Sequence, residues 1–230
     1  MTSRSTRHFT IRAVLTIHAA PRQAAAIAAA DDLLAKQRIE HLFLGGVARA
    51  AWLGGLVDSG SIDVLALMQP QQKNNVAMMA GNRGFNVDRD EVERTAELDL
   101  VPLAFEGVRV HVLVASNALY ARMFATAHVG RVLNPSEGPD DDGLRTRPTL
   151  RVPAAEDLAL LLTMSEDEDA VRRLAATPEF DRALYNEKLT SIGLGAFVIP
   201  TLSEAKGRDP IRPTEAGDPS PSVAARDDST

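Results

Sequence analysis

The stretch LFLGGVARAAWLGGLVDSGSIDVLAL, residues 42–67, decides the predicted fold. Its apolar start at residues 42–44 predicts a short strand. The glycine pair Gly45-Gly46 predicts a sharp turn, because glycine adopts backbone angles that other residues avoid. Small residues at 47–52 favour a helix, and the β-branched and apolar residues at 61–67 predict a second strand. This succession indicates an α/β protein with a small mixed sheet flanked by helices.

The same stretch is typical of a backbone segment that binds phosphate. A glycine pair between a strand and a helix lets the chain approach a ligand closely, and the start of the helix offers N–H groups that have no partner within it. Asp63 shares a strand face with Ser61 and Leu65, because side chains alternate along a strand. A carboxylate there can bring a divalent cation to a bound anion. The alternative interpretation of Asp63 is a strand-end acid that caps a loop or pairs with an arginine.

These features resemble the nucleotidyltransferase superfamily, in particular its minimal and abortive-infection members. Their pattern is a glycine pair and a helix, then a strand bearing Asp-x-Asp, then a later strand bearing a third Asp. Gly45 and Gly46 match the glycine pair, and Asp63 matches the second Asp. Ser59 occupies the place of a small hydroxyl residue before the acidic strand. The resemblance covers about residues 33–174 and implies that Gly45, Gly46 and Ser59 bind a nucleotide.

Two of the three family carboxylates are absent from this chain. Ser61 stands at the first Asp position, and His111 stands at the third, on a strand predicted at residues 108–114. The resemblance implies a catalytic centre of Asp63, His111 and Ser61, with Asp63 as the metal ligand. It also implies Mg²⁺ or Mn²⁺, and a nucleoside triphosphate as substrate or ligand. A charge pair at about 4 Å is worth roughly 4 kcal/mol at an effective dielectric near 20, so the expected affinity for Mg²⁺ falls by orders of magnitude.

His111 allows three interpretations. Its imidazole suits Zn²⁺, Mn²⁺ or other transition metals better than Mg²⁺. It can act as a general base beside Asp63, or it can simply fill space on its strand. The sequence also leaves open whether Glu97, Asp99 or Glu106 replaces a lost carboxylate, because the pattern does not fix the register of the neighbouring strand.

A second motif lies further along the chain. Glu156-Asp157-Leu158 resembles the family's Glu-Asp-Leu helix start, and acids in a first helical turn also suit the helix dipole. The family commonly carries a lysine one turn later, where this chain has Leu162. The run Asp140–Asp142 lies in a loop rich in glycine and proline, and we interpret it as solvated surface rather than a cation site.

The chain divides into four predicted segments. Residues 1–20 form an N-terminal extension with a strand, and residues 21–150 form the nucleotidyltransferase-like core. Residues 151–202 form a helical part, and residues 203–230 form a disordered tail of low apolar content. Helices are predicted at 22–37, 76–81, 118–128, 154–164 and 180–192, and an antiparallel hairpin at 97–105 and 108–114, with Pro102 in an edge strand.

Composition excludes several classes of protein. The 230 residues carry a net charge of −6 and no cysteine. Disulfides and thiolate zinc sites are therefore excluded, and strong binding to DNA is not expected. No apolar run reaches the roughly 18 residues of a membrane span. Arg12 and His18 interrupt the N-terminal apolar patch, which argues against a signal peptide. The predicted location is the cytoplasm.

Three functional hypotheses follow from these patterns. The first is a nucleotidyltransferase-like protein with a diverged, inactive centre, which binds a nucleotide or serves as a regulatory module. The second is an active metal-dependent enzyme that transfers a nucleoside monophosphate to a protein or an RNA, as toxin–antitoxin relatives do. The third is an interaction scaffold that recruits partners through its tail or its alanine-rich helix.

Overall fold

The computed structural model describes residues 14–57, 59–95, 97–133 and 149–194. In this part of the chain there are eight strands and eight α-helices. In order they are β1 (Leu15–Ala19), α1 (Pro21–Lys36), β2 (Glu40–Phe43), α2 (Gly45–Leu53), β3 (Leu56–Val57), β4 (Ser61–Leu67), α3 (Lys73–Gly81), α4 (Arg89–Arg94), β5 (Leu100–Phe105), β6 (Val108–Val114), α5 (Ala118–Thr126), β7 (His128–Leu133), β8 (Thr149–Val152), α6 (Ala155–Met164), α7 (Glu168–Ala175) and α8 (Arg182–Ser191). A short 3₁₀ turn, Pro70–Gln72, precedes α3.

The first sheet, which we call the core sheet, has the strand order β2-β4-β6-β5. Strands β4 and β6 are parallel, whereas β2 and β5 run antiparallel to their neighbours. The predicted α/β class with a mixed sheet is therefore confirmed. Strands β5 and β6 form the predicted hairpin, and Pro102 lies in β5 at the edge of the sheet. An edge strand tolerates the missing N–H of proline because one of its sides has no neighbouring strand.

A second sheet, with the order β3-β1-β7-β8, was not expected from the sequence pattern. Strand β1 runs parallel to both β3 and β7, and β8 runs antiparallel to β7. The helix predicted at 118–128 ends at Thr126, and His128 already belongs to β7. The β-branched Val129 and Val132 favour a strand there. Pairing with β1 satisfies backbone groups of both strands.

One face of the core sheet is divided between a covered half and an open half. Leu65 lies two residues beyond Asp63 on the same face, and it packs with Met123 and Phe124 of α5 in a buried apolar cluster. Asp63 and its neighbour His111 lie outside that cluster, and each side chain is 31% exposed. The helix that covers the apolar half therefore leaves the polar pair open to solvent.

The C-terminal part of the described chain is helical, with α6, α7 and α8 following β8. No helix within the described ranges is long and apolar enough to cross a membrane. The predicted tail at 203–230 and the Asp140–Asp142 run lie outside the described residues.

Candidate functional site

The glycine turn lies directly against the side chain of Asp63. The Leu44 N–H donates to the carbonyl oxygen of Asp63 over 2.8 Å, which holds the start of α2 beside β4. Gly45 has a φ of +50°, a region that favours glycine. A Cβ at Gly45 would also overlap Asp63 Oδ2. Both the backbone conformation and the available space therefore favour glycine at this position.

Gly46 and Ser59 form the second part of the turn. A Cβ at Gly46 would lie 3.0 Å from Ser59 Oγ. Ser59 Oγ donates to the carbonyl oxygen of Ser61 over 2.8 Å, so its hydroxyl offers lone pairs, not a proton, to a ligand. Gln23 Nε2 donates to the Ser59 carbonyl over 3.2 Å. Gln23 was not anticipated from local patterns, because it lies 36 residues from its partner on a separate helix.

Asp63 and His111 form a hydrogen-bonded pair. The parallel register places them side by side on β4 and β6, and His111 Nδ1 lies 2.9 Å from Asp63 Oδ1. A carboxylate accepts hydrogen bonds, so Nδ1 is the donor, and the lone pair of the ring lies on Nε2. Within the described residues, the ring of His111 has no second hydrogen bond.

The donor set around Asp63 does not fit a two-metal centre. Mg²⁺ prefers several oxygen ligands in octahedral geometry. Asp63 supplies one carboxylate, with one oxygen bonded to His111 and the other packed against Gly45. The Ser61 carbonyl already accepts from Ser59. Across the ranges that the structure describes, no three His, Cys, Asp or Glu side chains come together as a metal site.

Strand β5 does not supply a replacement carboxylate. Its residue opposite His111 is Pro102. Asp99 lies at the far end of the hairpin, where its carbonyl accepts from Val114 N–H. Glu106 lies in the β5–β6 turn with a φ of +49°. The register that the sequence left open therefore places none of these carboxylates opposite His111.

Two cavities lie away from these residues. One of about 320 Å³ is lined in part by Pro70 and Lys73, and one of about 380 Å³ is lined in part by Thr163 and Glu166. Neither is lined by a predicted site residue. The candidate site is the surface between the glycine turn and His111.

Comparison with known proteins found similar solved structures. The solution structure of the antibiotic-resistance factor ANT(2'')-Ia is 15% identical, with a TM-score of 0.44, and the match covers 74% of this chain and 90% of that chain. The crystal structure of ANT(2'')-Ia in complex with adenylyl-2''-tobramycin is 12% identical, with a TM-score of 0.39, and the match covers 74% of this chain and 94% of that chain. No protein-family model and no curated protein sequence matches the chain.

Proposed function

We propose that the chain binds a nucleoside triphosphate at the glycine turn and acts as a nucleotide-binding module. One observation carries this proposal. Asp63 packs one carboxylate oxygen against Gly45 and bonds the other to His111. The glycine turn, the start of α2 and the His–Asp pair therefore form one continuous surface, on which a phosphate chain can lie.

Backbone N–H groups at the start of α2 supply the attraction for phosphate. The first N–H groups of a helix have no partner within it, and the helix dipole favours an anion there. The carboxylate of Asp63 opposes this attraction by its charge. The hydrogen bond from His111 Nδ1 offsets part of that charge, so the pair supports an anion better than an unpaired aspartate.

The groups available as metal ligands around Asp63 distinguish this proposal from two-metal nucleotidyl transfer. That reaction uses carboxylates to hold the ions that activate the acceptor hydroxyl. In the part of the chain that the structure describes, no second carboxylate joins Asp63 in a metal-binding group, and both oxygens of Asp63 are in contact with other groups. We therefore derive no step through a bound metal ion.

The test is a titration of the protein with each of the four nucleoside triphosphates by isothermal calorimetry, with Mg²⁺ present. The added Cβ of Gly45→Ala overlaps Asp63 Oδ2, so the turn must shift and a backbone N–H should lose its bond to the phosphate. One hydrogen bond to a charged group is worth roughly 1.5–3 kcal/mol, so we expect binding to weaken about tenfold or more. Gly60→Ala is the matched control, because Gly60 has no positive φ and open space at its Cβ position. Equal binding by both folded variants would contradict the proposed site. No binding of any nucleotide would favour the scaffold hypothesis.

A second candidate is an active enzyme that transfers a nucleoside monophosphate to a protein or RNA acceptor. The contact of 2.9 Å between His111 and Asp63 favours it, because a carboxylate orients a histidine for general-base catalysis. Radiolabelled nucleotide would then appear on a second macromolecule, and His111→Gln would abolish that label. Label that remains in the variant would exclude this role for His111.

A further inference from the structure

Two His–Asp pairs are described in the structure, and they differ in which ring nitrogens are used. His41 Nε2 lies 2.9 Å from Asp31 Oδ1, and its Nδ1 lies 2.9 Å from the carbonyl oxygen of Ile39. The His41 side chain is 11% exposed. Among the described residues His111 bonds through Nδ1 alone, and its side chain is 31% exposed. The first pair is a closed structural contact, whereas the second leaves a nitrogen directed away from its carboxylate.

We propose that His111 is a nucleophile that takes up the nucleotidyl group of the bound nucleoside triphosphate as a covalent adduct on Nε2. The inference rests on the proposed function, because the nucleotide must first bind beside Gly45. Histidine acts as a covalent catalyst when a neighbouring group orients it. Asp63 provides that orientation, since its bond to Nδ1–H leaves the lone pair on Nε2.

The step balances without a further reactant. The lone pair of Nε2 forms a bond to the α-phosphorus, and the bond from that phosphorus to the oxygen bridging the α- and β-phosphates breaks. Pyrophosphate leaves with the electron pair of the broken bond. The ring becomes positively charged, with its proton still on Nδ1, and the carboxylate of Asp63 lies 2.9 Å away to balance that charge.

The position of the pair agrees with this step. One oxygen of Asp63 lies against Gly45 at the start of α2, and the other is bonded to the His111 ring. The triphosphate must therefore extend from the α2 N–H groups past Asp63 so that its α-phosphorus reaches Nε2. An imidazole lone pair needs no deprotonation before it attacks, unlike an acceptor hydroxyl that a metal must activate. Attack by His111 therefore does not need the two family carboxylates that this chain lacks.

The experiment incubates the purified full chain with each nucleoside triphosphate labelled in turn at the α- and the γ-phosphate. We expect label from the α-position only. It should be lost in acid and stable in alkali, as a phosphorus–nitrogen bond to histidine is. Mass spectrometry should locate a nucleoside monophosphate on the peptide that contains His111.

Variants separate the nucleophile from its positioning residue. We expect His111→Gln to abolish the label, whereas His18→Gln, which changes an exposed strand histidine, should retain it. Asp63→Asn should lower the rate of labelling at saturating nucleotide by about tenfold or more, since loss of an orienting carboxylate disturbs the ring. Circular dichroism establishes that each variant is folded.

The outcomes distinguish the two proposals. Nucleotide binding by calorimetry without α-label on the wild-type chain would overturn the nucleophile and leave the binding module intact. Label from the γ-phosphate, or equal label in folded His111→Gln, would overturn it as well. Absence of nucleotide binding would overturn both proposals together.

Discussion

Lys188 of helix α8 forms an ion pair with Asp157 of helix α6, whose carboxylate side chain is only 2% exposed. The second oxygen of Asp157 accepts from Thr126 Oγ1 over 2.7 Å. The resemblance placed a lysine one turn along α6, at Leu162, and that position is apolar here. The cation next to Asp157 comes instead from α8, so this pair joins two helices of the C-terminal part.

Lys188→Met should destabilise the protein strongly, because it leaves a buried carboxylate without its cation. Breaking a buried pair by removing one partner costs about 3–5 kcal/mol. Urea denaturation measures the loss in the free energy of unfolding. Lys36→Met is the control, since Lys36 pairs with Asp32 on the surface, where both side chains are at least half exposed, and such pairs are worth about 0–1 kcal/mol. Comparable losses in the two variants would contradict the buried pair.

Gly130→Ala should destabilise the junction of β1 and β7 by about 1–3 kcal/mol, the usual cost of overpacking. A Cβ at Gly130 would lie 2.6 Å from Cδ1 of Ile17, and Ile17 is fully buried. Ile17→Val removes that methyl group at a cost of about 0.5–1.5 kcal/mol on its own.

The double variant Gly130→Ala with Ile17→Val should therefore lose less stability than the sum of the single losses. Thermal or urea unfolding of all four proteins completes the double-mutant cycle, and we expect a coupling of about 0.5–3 kcal/mol. Strict additivity would mean that the alanine finds space elsewhere.

Stability should fall with pH above the ordinary tyrosine pKa, and Tyr185 should account for part of the fall. Burial raises the pKa of Tyr185, although its hydrogen bond to Thr163 opposes the shift. The unfolded chain loses this proton near pH ~10, whereas the folded chain keeps it. The folded state then binds more protons than the unfolded state, so the free energy of unfolding decreases as pH rises.

Tyr185→Phe should show a shallower loss of stability between pH ~8 and ~11 than the wild type. Tyr120→Phe is the control, because Tyr120 is the other tyrosine of the chain and is not buried. Chemical denaturation at several pH values gives the slopes. Identical slopes for wild type and Tyr185→Phe would show that the hydroxyl titrates alike in both states.

Trp52→Phe should lower the free energy of unfolding by about 1–3 kcal/mol, the cost of leaving a buried acceptor without its donor. Trp52 Nε1 donates to the carbonyl oxygen of Pro153 over 2.9 Å, and the residue is 8% exposed. Phenylalanine keeps an aromatic contact with His128, whose ring centroid lies 4.8 Å away. Urea denaturation followed by circular dichroism measures the change, and a neutral result would mean that water replaces the donor.

Local sequence patterns predicted those elements of the fold that depend on residues close together in the chain. The order of strand, glycine turn, helix and strand from residues 42–67 agrees with β2, α2 and β4. The hairpin around Glu106-Gly107 also agrees, because alternating apolar residues and a turn specify it. The second sheet was not predictable in this way. Strand β1 pairs with β3 and β7, and periodicity does not state which distant strands will meet.

The residues of the candidate site were likewise predictable only in part from the sequence. Asp63 and His111 were singled out from motif positions, and the structure places them 2.9 Å apart. Their roles remain predictions. Gln23 and Lys188 were not anticipated, because each meets a partner that is distant in sequence, 36 and 31 residues away respectively.

The register of β4 against β6 has an evolutionary consequence. In this register Asp63 lies beside His111, and the next pair along the strands is Val64 beside Val112. The strand register that buries the two valines therefore also places the aspartate beside the histidine. While this register persists, changes in core packing leave Asp63 and His111 on neighbouring positions of adjacent strands. A replacement at either position removes the pair in one mutational step.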